Sequence, residues 1–208
     1  MGRFLLIAAA ILLTACKAEK VEVSLDANVI VTAVGGTDES VEFEAVVGEK
    51  FTKVDSEKRD LIASVESVIT EYFPNSEVDV NIGADEYEIE VQSSLIVSKN
   101  QPTSGAPWYI SSTQSADGEG ILVQLIPSQS FEKFSSDIKD VNIMLGPDEF
   151  QPVEYRFTAA SGTVIVGGAI VDGVPMNIAR IKMTGQRVKM QFKDGIWEQA
   201  AGAFIYIP

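Results

Sequence analysis

The stretch TVIVGGAIVDGVPMNIARIKMTGQRVKMQF, residues 163–192, contains the strongest fold signal in this sequence. Its apolar runs are separated by Asp172-Gly173 and by Gly185, and turn residues between apolar runs are typical of β-hairpins. The pattern predicts three strands of an antiparallel meander, at 163–171, 176–183 and 187–193. Because TVIVGGAIV is apolar at consecutive positions, we expect its strand to be central and covered on both faces.

Outward from this stretch, the C-terminal half continues as a β-rich domain over 121–208. Further strands are predicted at 121–127, 153–159 and 196–207. Phe131, Phe134 and Ile138 recur at helical spacing and predict one short helix between the first two of these strands.

The N-terminal half, 21–98, is predicted to be a ββαββ domain. Asp55 suits the N-cap of a helix whose apolar residues recur every three or four positions. Alternating apolar and polar residues predict strands on both sides of this helix, at 21–25, 29–33, 41–45, 77–82 and 87–97. Residues 99–120 are rich in Pro, Gly, Ser and Thr and are predicted to be a linker or loop between the halves. The expected fold class is therefore α+β.

The predicted N-terminal sheet carries many acids on one face. If the helix covers the face with Val23 and Phe43, seven acidic residues share the other face: Glu22, Glu42, Glu44, Glu77, Asp79, Glu88 and Glu90. Like charges directly across strands cost up to about 1 kcal/mol per pair. Three alternatives could offset this repulsion: screening by water and salt, diffuse binding of Ca²⁺ or Mg²⁺, and docking of a basic partner.

The predicted hairpin of the second and third meander strands carries basic residues on one face. Arg180 and Lys182 alternate with apolar residues on one strand, as do Arg187 and Lys189 on the next. This basic face could pack on the acidic sheet, face anionic lipid headgroups, or remain solvated.

Trp108 and Tyr109 lie in the predicted linker. An exposed aromatic pair in a loop stacks on sugars or anchors a partner. The favoured alternative is that the pair fills a seam between the two halves.

The composition excludes many catalytic sites. The chain has no histidine and one cysteine, so Cys–His and Ser–His systems and the usual zinc sites cannot form. Two S-x-x-K pairs remain, Ser130 with Lys133 and Ser136 with Lys139, but the S-D-N and K-T-G partners of the penicillin-binding family are missing. A solvated helix face is favoured, and no cofactor is expected. A net charge of −14 makes nucleic acid an unsuitable partner.

The N-terminal sequence MGRFLLIAAAILLTAC, residues 1–16, has one cation, an apolar core over 4–13 and small residues before Cys16. The core is shorter than the roughly 20 residues that span a bilayer and suits a cleaved signal peptide. Leu13-Thr14-Ala15-Cys16 resembles the lipobox of bacterial lipoproteins. The resemblance implies removal of 1–15, diacylglycerol on the Cys16 thiol and acylation of the new amino group. Because the first predicted strand begins at residue 21, residues 16–20 would form a short lipidated tether.

The residue after the cysteine influences sorting in Gram-negative members of that family. Lys17, in place of aspartate, implies the outer membrane, and a Gram-positive cell surface remains open. We therefore expect a lipid-anchored envelope lipoprotein that faces the periplasm and acts as a non-catalytic binding or assembly component with a protein partner. A Ca²⁺- or Mg²⁺-dependent adaptor that uses the acidic face is the alternative, and a Ser–Lys hydrolase comes third.

Overall fold

The computed structural model describes residues 18–50, 54–73, 75–103, 105–141, 153–192 and 202–208. The predicted signal peptide, Cys16 and Lys17 lie outside the described residues. So do residues 193–201, which include the first part of the last predicted strand.

The described residues form eleven strands and three helices. The strands are β1 (Ala18–Asp26), β2 (Glu39–Lys50), β3 (Glu77–Ile82), β4 (Glu86–Ser98), β5 (Trp108–Gln114), β6 (Ile121–Pro127), β7 (Val153–Thr158), β8 (Thr163–Val171), β9 (Val174–Lys182), β10 (Arg187–Phe192) and β11 (Ala203–Ile207). The helices are α1 (Ala27–Val34), α2 (Ser56–Tyr72) and α3 (Phe131–Val141).

Nine of these strands close into a barrel. The strands follow the order β10-β7-β1-β2-β4-β5-β6-β11-β8, and a pairing between β8 and β10 joins the two ends of this path. β8 pairs with β11 over Thr163–Val166 and with β10 over Ala169–Val171. Gly168, which adopts a positive φ of 64°, lies between the two segments, where β8 changes partner. β3 and β9 lie outside the ring, paired with β4 and β8 respectively.

The predicted α+β class, with a ββαββ half followed by a meander, is wrong. About half of the chain is in strands, the helices are short, and one sheet runs through both predicted halves. The parallel pairing of β1 with β7 and of β4 with β5 connects them. β5 falls inside the segment predicted as a linker, so residues 108–114 are part of the barrel wall.

The segment predicted as a strand at 29–33 is helical. The Asp26 side chain accepts a hydrogen bond from the Asn28 backbone N–H and caps α1, although Val29, Val31 and Thr32 favour strands. Ile30 and Ala33 are fully buried, and the hydroxyl of the buried Ser112 donates to the Ile30 carbonyl oxygen over 3.0 Å. Because α1 packs against β1, β2, β4, β5 and β6, it lies across an opening of the barrel.

The predicted meander is wrong in the pairing of its last two strands. Its strands form close to the predicted positions, but β10 pairs with β7 and β8, and no pairing joins β9 to β10 in the described residues. β8 is central, as expected, with β9 on one edge and β10 and β11 on the other. It is not covered on both faces, because Gly167 and Gly168 are exposed and Ile165 and Ile170 are only half-buried.

The barrel interior is filled by aromatic side chains. Tyr155 contacts Phe192 and Phe204 at ring-centroid distances of 6.0 and 5.4 Å, and Phe157 contacts Phe204 and Tyr206, each at 5.2 Å. Offset and edge-to-face pairs of this kind stabilise a core beyond their buried area. Among the described residues, no helix has the length and apolar character needed to cross a membrane.

Candidate functional site

The register of the strands puts the acidic residues on the outer face of the sheet. Glu22 lies opposite Glu44, Glu44 opposite Gln92, and Gln92 opposite Glu77 on successive strands. Asp79 lies opposite Glu90. Glu42 and Glu88 share the outer face, opposite Ser94 and Asn81 respectively. All of the predicted acidic-face residues are therefore brought to one surface.

An open groove of about 520 Å³ runs over this surface. Glu22, Glu42, Glu44 and Glu77 line it together with Arg156. The acids are distributed along separate strands, and no group of three or more acidic, cysteine or histidine side chains in the described residues has the arrangement of a metal site.

Arg156 and Lys189 neutralise the most deeply buried acids of this face. The carboxylate-bearing residues Glu22 and Glu154 are only 4% and 3% exposed. Arg156 Nη1 lies 2.5 Å from Glu22 Oε1, and Arg156 Nε lies 3.5 Å from Glu154 Oε1. Lys189 Nζ lies 2.7 Å from Glu154 Oε2, which also accepts a hydrogen bond from Gln191 Nε2 over 2.7 Å. A buried carboxylate is costly without such partners.

Sequence reasoning missed Arg156 and Glu154. Both lie in VEYRFT, where apolar residues alternate with these two, so the strand pattern already places them on one face. What the sequence did not show is which strand lies beside β7. Only the parallel pairing of β7 with β1 brings Glu154 opposite Glu22 and Arg156 opposite Ser24.

The structure separates the basic residues that were predicted to share a hairpin face. Arg187 and Lys189 lie on β10, which is one of the strands of the barrel wall. Lys189 forms an ion pair with the buried Glu154 on the outer face of this wall. Arg180 and Lys182 lie on β9, which pairs along one edge with β8, and both are exposed. The predicted basic hairpin is wrong because β10 pairs with strands other than β9.

β9 also exposes apolar side chains. Of the five large apolar residues that are exposed in the described part of the chain, three lie on this strand. Ile178 is 78% exposed, Val174 52% and Met176 38%. Single exposed apolar residues are common on protein surfaces, whereas three on one edge strand form an apolar edge of the kind to which another strand can add.

Trp108 and Tyr109 are not an exposed aromatic pair. Tyr109 is buried, and burial raises its pKa. The Trp108 ring packs against Phe73 after α2 and against Phe131 and Phe134 of α3, at centroid distances of 6.1, 5.6 and 5.6 Å. Trp108 therefore fills the contact between α2, α3 and the barrel.

The first S-x-x-K pair does not bring hydroxyl and amine together. Ser130 Oγ lies 3.0 Å from Ser128 Oγ and 3.3 Å from the Gly105 carbonyl oxygen, to which it donates. Lys133 Nζ lies 3.3 Å from Glu71 Oε1 and 3.5 Å from Asp137 Oδ2.

The surroundings of Lys133 oppose a role as a general base. Hydrogen bonds with Tyr72 and Glu71 raise the pKa of Lys133, the opposite of what such a base requires. In the second pair, Ser136 is exposed on α3 and Lys139 is half-buried one turn later.

No family model matches the chain, and no curated protein matches it.

Proposed function

We propose that this chain is a lipid-anchored envelope lipoprotein that acts as a non-catalytic binding or assembly component, with β9 as its docking strand. The single observation that carries the docking role is the exposure of Val174, Met176 and Ile178 on a strand with one edge that no other described strand pairs with. An exposed apolar edge strand promotes unspecific association unless a partner covers it.

The anchor part of the proposal depends on the lipobox and on the short distance to the barrel. The predicted tether over 16–20 is too long, because residues 18–20 already belong to β1. β1 begins at Ala18, the second residue after Cys16, so a lipid on the cysteine would hold the barrel at the bilayer surface. One acyl chain binds a membrane weakly and two or three bind firmly, at about 0.8 kcal/mol per buried methylene. Lys17 in place of aspartate supports the outer membrane as the location, and the periplasmic side is part of the proposal.

Mass spectrometry of the protein from its native host tests the anchor. The expected product begins at Cys16 and carries diacylglycerol plus an amide-linked acyl chain. Cys16→Ala should abolish incorporation of labelled fatty acid and release the protein from the membrane fraction. An unmodified or unprocessed wild-type N-terminus would overturn this part of the proposal.

Site-specific photo-crosslinking in intact cells tests the docking strand. A photoreactive amino acid at Ile178 should give discrete protein adducts, because the partner covers this position. The matched control is Val31 on α1, an apolar residue that is also exposed but lies away from β9. Equal crosslinking at both positions, or none at Ile178, would remove β9 as the docking element.

A further inference from the structure

Two strands in the described part of the chain have one unpaired edge each outside the barrel, β3 next to β4 and β9 next to β8. Proteins usually protect such edges with proline or with charges that repel another strand. Pro175 has no N–H group and protects the first part of β9. Over residues 178–182 the protection consists of Arg180 and Lys182, which repel a basic strand, lose hydration without compensation beside a neutral one, and attract an acidic one.

The edge of β3 has the complementary charges at the same spacing. Glu77 and Asp79 are exposed on its outer face and are separated by one residue, as Arg180 and Lys182 are on β9. Between the charges, Val78 and Ile181 are half-buried on the inner faces of their sheets. The two strands therefore match in charge on one face and in apolar character on the other.

We propose that β9 of one copy of this chain adds to β3 of a second copy as a parallel strand, with Arg180 beside Glu77 and Lys182 beside Asp79. The proposal rests on and deepens the docking role of β9 proposed above and names the partner of its last residues, 180–182, whereas Val174, Met176 and Ile178 precede the paired segment. It requires no rearrangement of the barrel, because both strands lie outside the closed ring.

The backbone of β3 determines which of its residues can bond to a new strand. At the hairpin to β4, the Gly83 N–H donates to the Glu86 carbonyl oxygen over 2.8 Å. Bonding residues alternate along an antiparallel ladder. Glu77 and Asp79 therefore direct their backbone groups toward β4, and Val78 and Val80 direct theirs toward the free edge.

The same argument applies to β9. The Met183 N–H donates to the Gly162 carbonyl oxygen over 2.9 Å and extends the register with β8. Ala179 and Ile181 therefore bond toward β8, and Arg180 and Lys182 direct their backbone groups toward the free edge. There the Lys182 carbonyl oxygen accepts one hydrogen bond from Gln186 Nε2 over 2.8 Å, which leaves its second lone pair for a new strand.

These two alternations select the parallel direction. In a parallel ladder, a residue whose backbone groups face the partner strand lies opposite one whose groups face away. Arg180 opposite Glu77 and Lys182 opposite Asp79 satisfy this rule. Val78 then lies opposite Ile181, and its backbone forms hydrogen bonds with the backbones of Arg180 and Lys182. An antiparallel strand with the same charge pairs would place bonding residues opposite non-bonding ones. A shift by two residues would leave only one charge pair directly opposed.

The contact joins different surfaces of the two copies. Each copy in a pair therefore keeps one unused edge, and the copies form a closed ring or an open chain. Attachment to one membrane through Cys16 would keep the copies in the same plane and at high local concentration.

Charge reversal tests the contact on the full-length protein extracted in mild detergent, with sedimentation as the measurement. We expect Glu77→Arg with Asp79→Arg, and separately Arg180→Glu with Lys182→Glu, to reduce the assembled wild-type protein to monomers. Mixing the two variants should restore assembly, because each then supplies the charges that the other needs. Asp38→Arg with Asp60→Arg, which makes the same charge change at exposed sites elsewhere, should leave assembly unchanged.

A disulfide between differently tagged copies tests the register. One copy carries Asp79→Cys and the other Lys182→Cys, and the chain has no native cysteine besides Cys16. Adjacent strands lie about 4.8 Å apart, within the Cα range of disulfides. Co-expression and mild oxidation should give the mixed dimer, and Asp60→Cys in place of Asp79→Cys should not.

The outcomes separate this proposal from the docking role itself. A monomeric wild-type protein whose position 178 crosslinks to a different protein would overturn the self-pairing and leave the docking role intact. Loss of binding to anionic vesicles in Arg180→Glu with Lys182→Glu, without any assembly of the wild type, would overturn it in favour of a lipid surface. Monomers without crosslinks at 178 would end both proposals.

Discussion

Charged residues lie in two regions of the molecule: on the outer face of β1, β7 and β10, and at the free edges of β3 and β9. The two regions differ in how far these charges are buried and in whether they are paired. In the first, Glu22 and Glu154 are buried and held by Arg156 and Lys189. At the edges, Glu77, Asp79, Arg180 and Lys182 are exposed. Charges that the barrel needs for its own stability are matched within the chain, and those at the edges remain available for another surface.

Arg156→Met should have the largest effect on stability. The substitution leaves the Glu22 carboxylate buried beside an apolar side chain, and removal of one partner of a buried ion pair costs about 3–5 kcal/mol. Equilibrium unfolding in urea measures the loss. Adding Glu22→Gln should recover part of it, because no buried charge is then left at that position. An unchanged unfolding midpoint for Arg156→Met would show that the pair contributes nothing.

Lys189→Met should cost less, about 1–2 kcal/mol. The Glu154 carboxylate keeps its hydrogen bond from Gln191 and its contact with Arg156. The same urea titration measures this variant. A loss of unfolding free energy equal to that of Arg156→Met would mean that the two cations act as one unit. In that case the double variant should lose less than the sum of the two single losses.

Substitution of the edge cations should leave the stability of the monomer nearly unchanged. Arg180→Met and Lys182→Met remove exposed charges without an intrachain ion pair in the described structure, and such changes fall within about 0.5 kcal/mol. Unfolding must be measured at protein concentrations where no assembly forms. A loss of more than about 1 kcal/mol would contradict the contrast between the two regions.

The part-buried cluster of Tyr72, Lys133 and Asp137 contains charged groups of a third kind, for which we expect only a small pH effect. The hydrogen bond from Tyr72 lowers the pKa of Asp137, so its contribution to stability is present above about pH 4 and is lost as the pH falls through the folded-state pKa. Burial and Asp137 raise the pKa of Tyr72, so that contribution is present below about pH 10 and is lost at higher pH.

Thermal unfolding from pH 2 to pH 11 measures this dependence, with Tyr72→Phe as the comparison. Tyr72→Phe should flatten both limbs of the profile, because it removes the hydroxyl that links the two titrations. Identical profiles for wild type and variant would show that the cluster does not contribute to the pH dependence of stability.

Local features of this fold could be predicted from the sequence. Asp55 caps α2 through a hydrogen bond that its side chain accepts from the Lys58 N–H, as the sequence predicts. The strands β3 and β4, predicted at 77–82 and 87–97, and the strands of residues 163–192 form close to their predicted positions. Each depends on residues a few positions apart, whose turn and capping chemistry is visible in the sequence.

The closure of the barrel could not be predicted in the same way. Alternation defines which face of a strand is apolar but not which strand becomes its neighbour. The pairing of Glu22 with Glu154 joins residues far apart in the chain, and β10 pairs with β7 although Gly185 suggests a hairpin with β9. In α1, tertiary packing of Ile30 and Ala33 overrides the strand preference of Val29 and Val31.

The position of β1 has a mechanical consequence. β1 is hydrogen-bonded along both edges, to β2 and to β7, and its first residue, Ala18, is two positions from the proposed anchor. A pull on an anchored protein would therefore load two ladders lengthwise, so that many hydrogen bonds share the strain at once. The attachment point is then one of the places on the barrel where force is least able to unravel it.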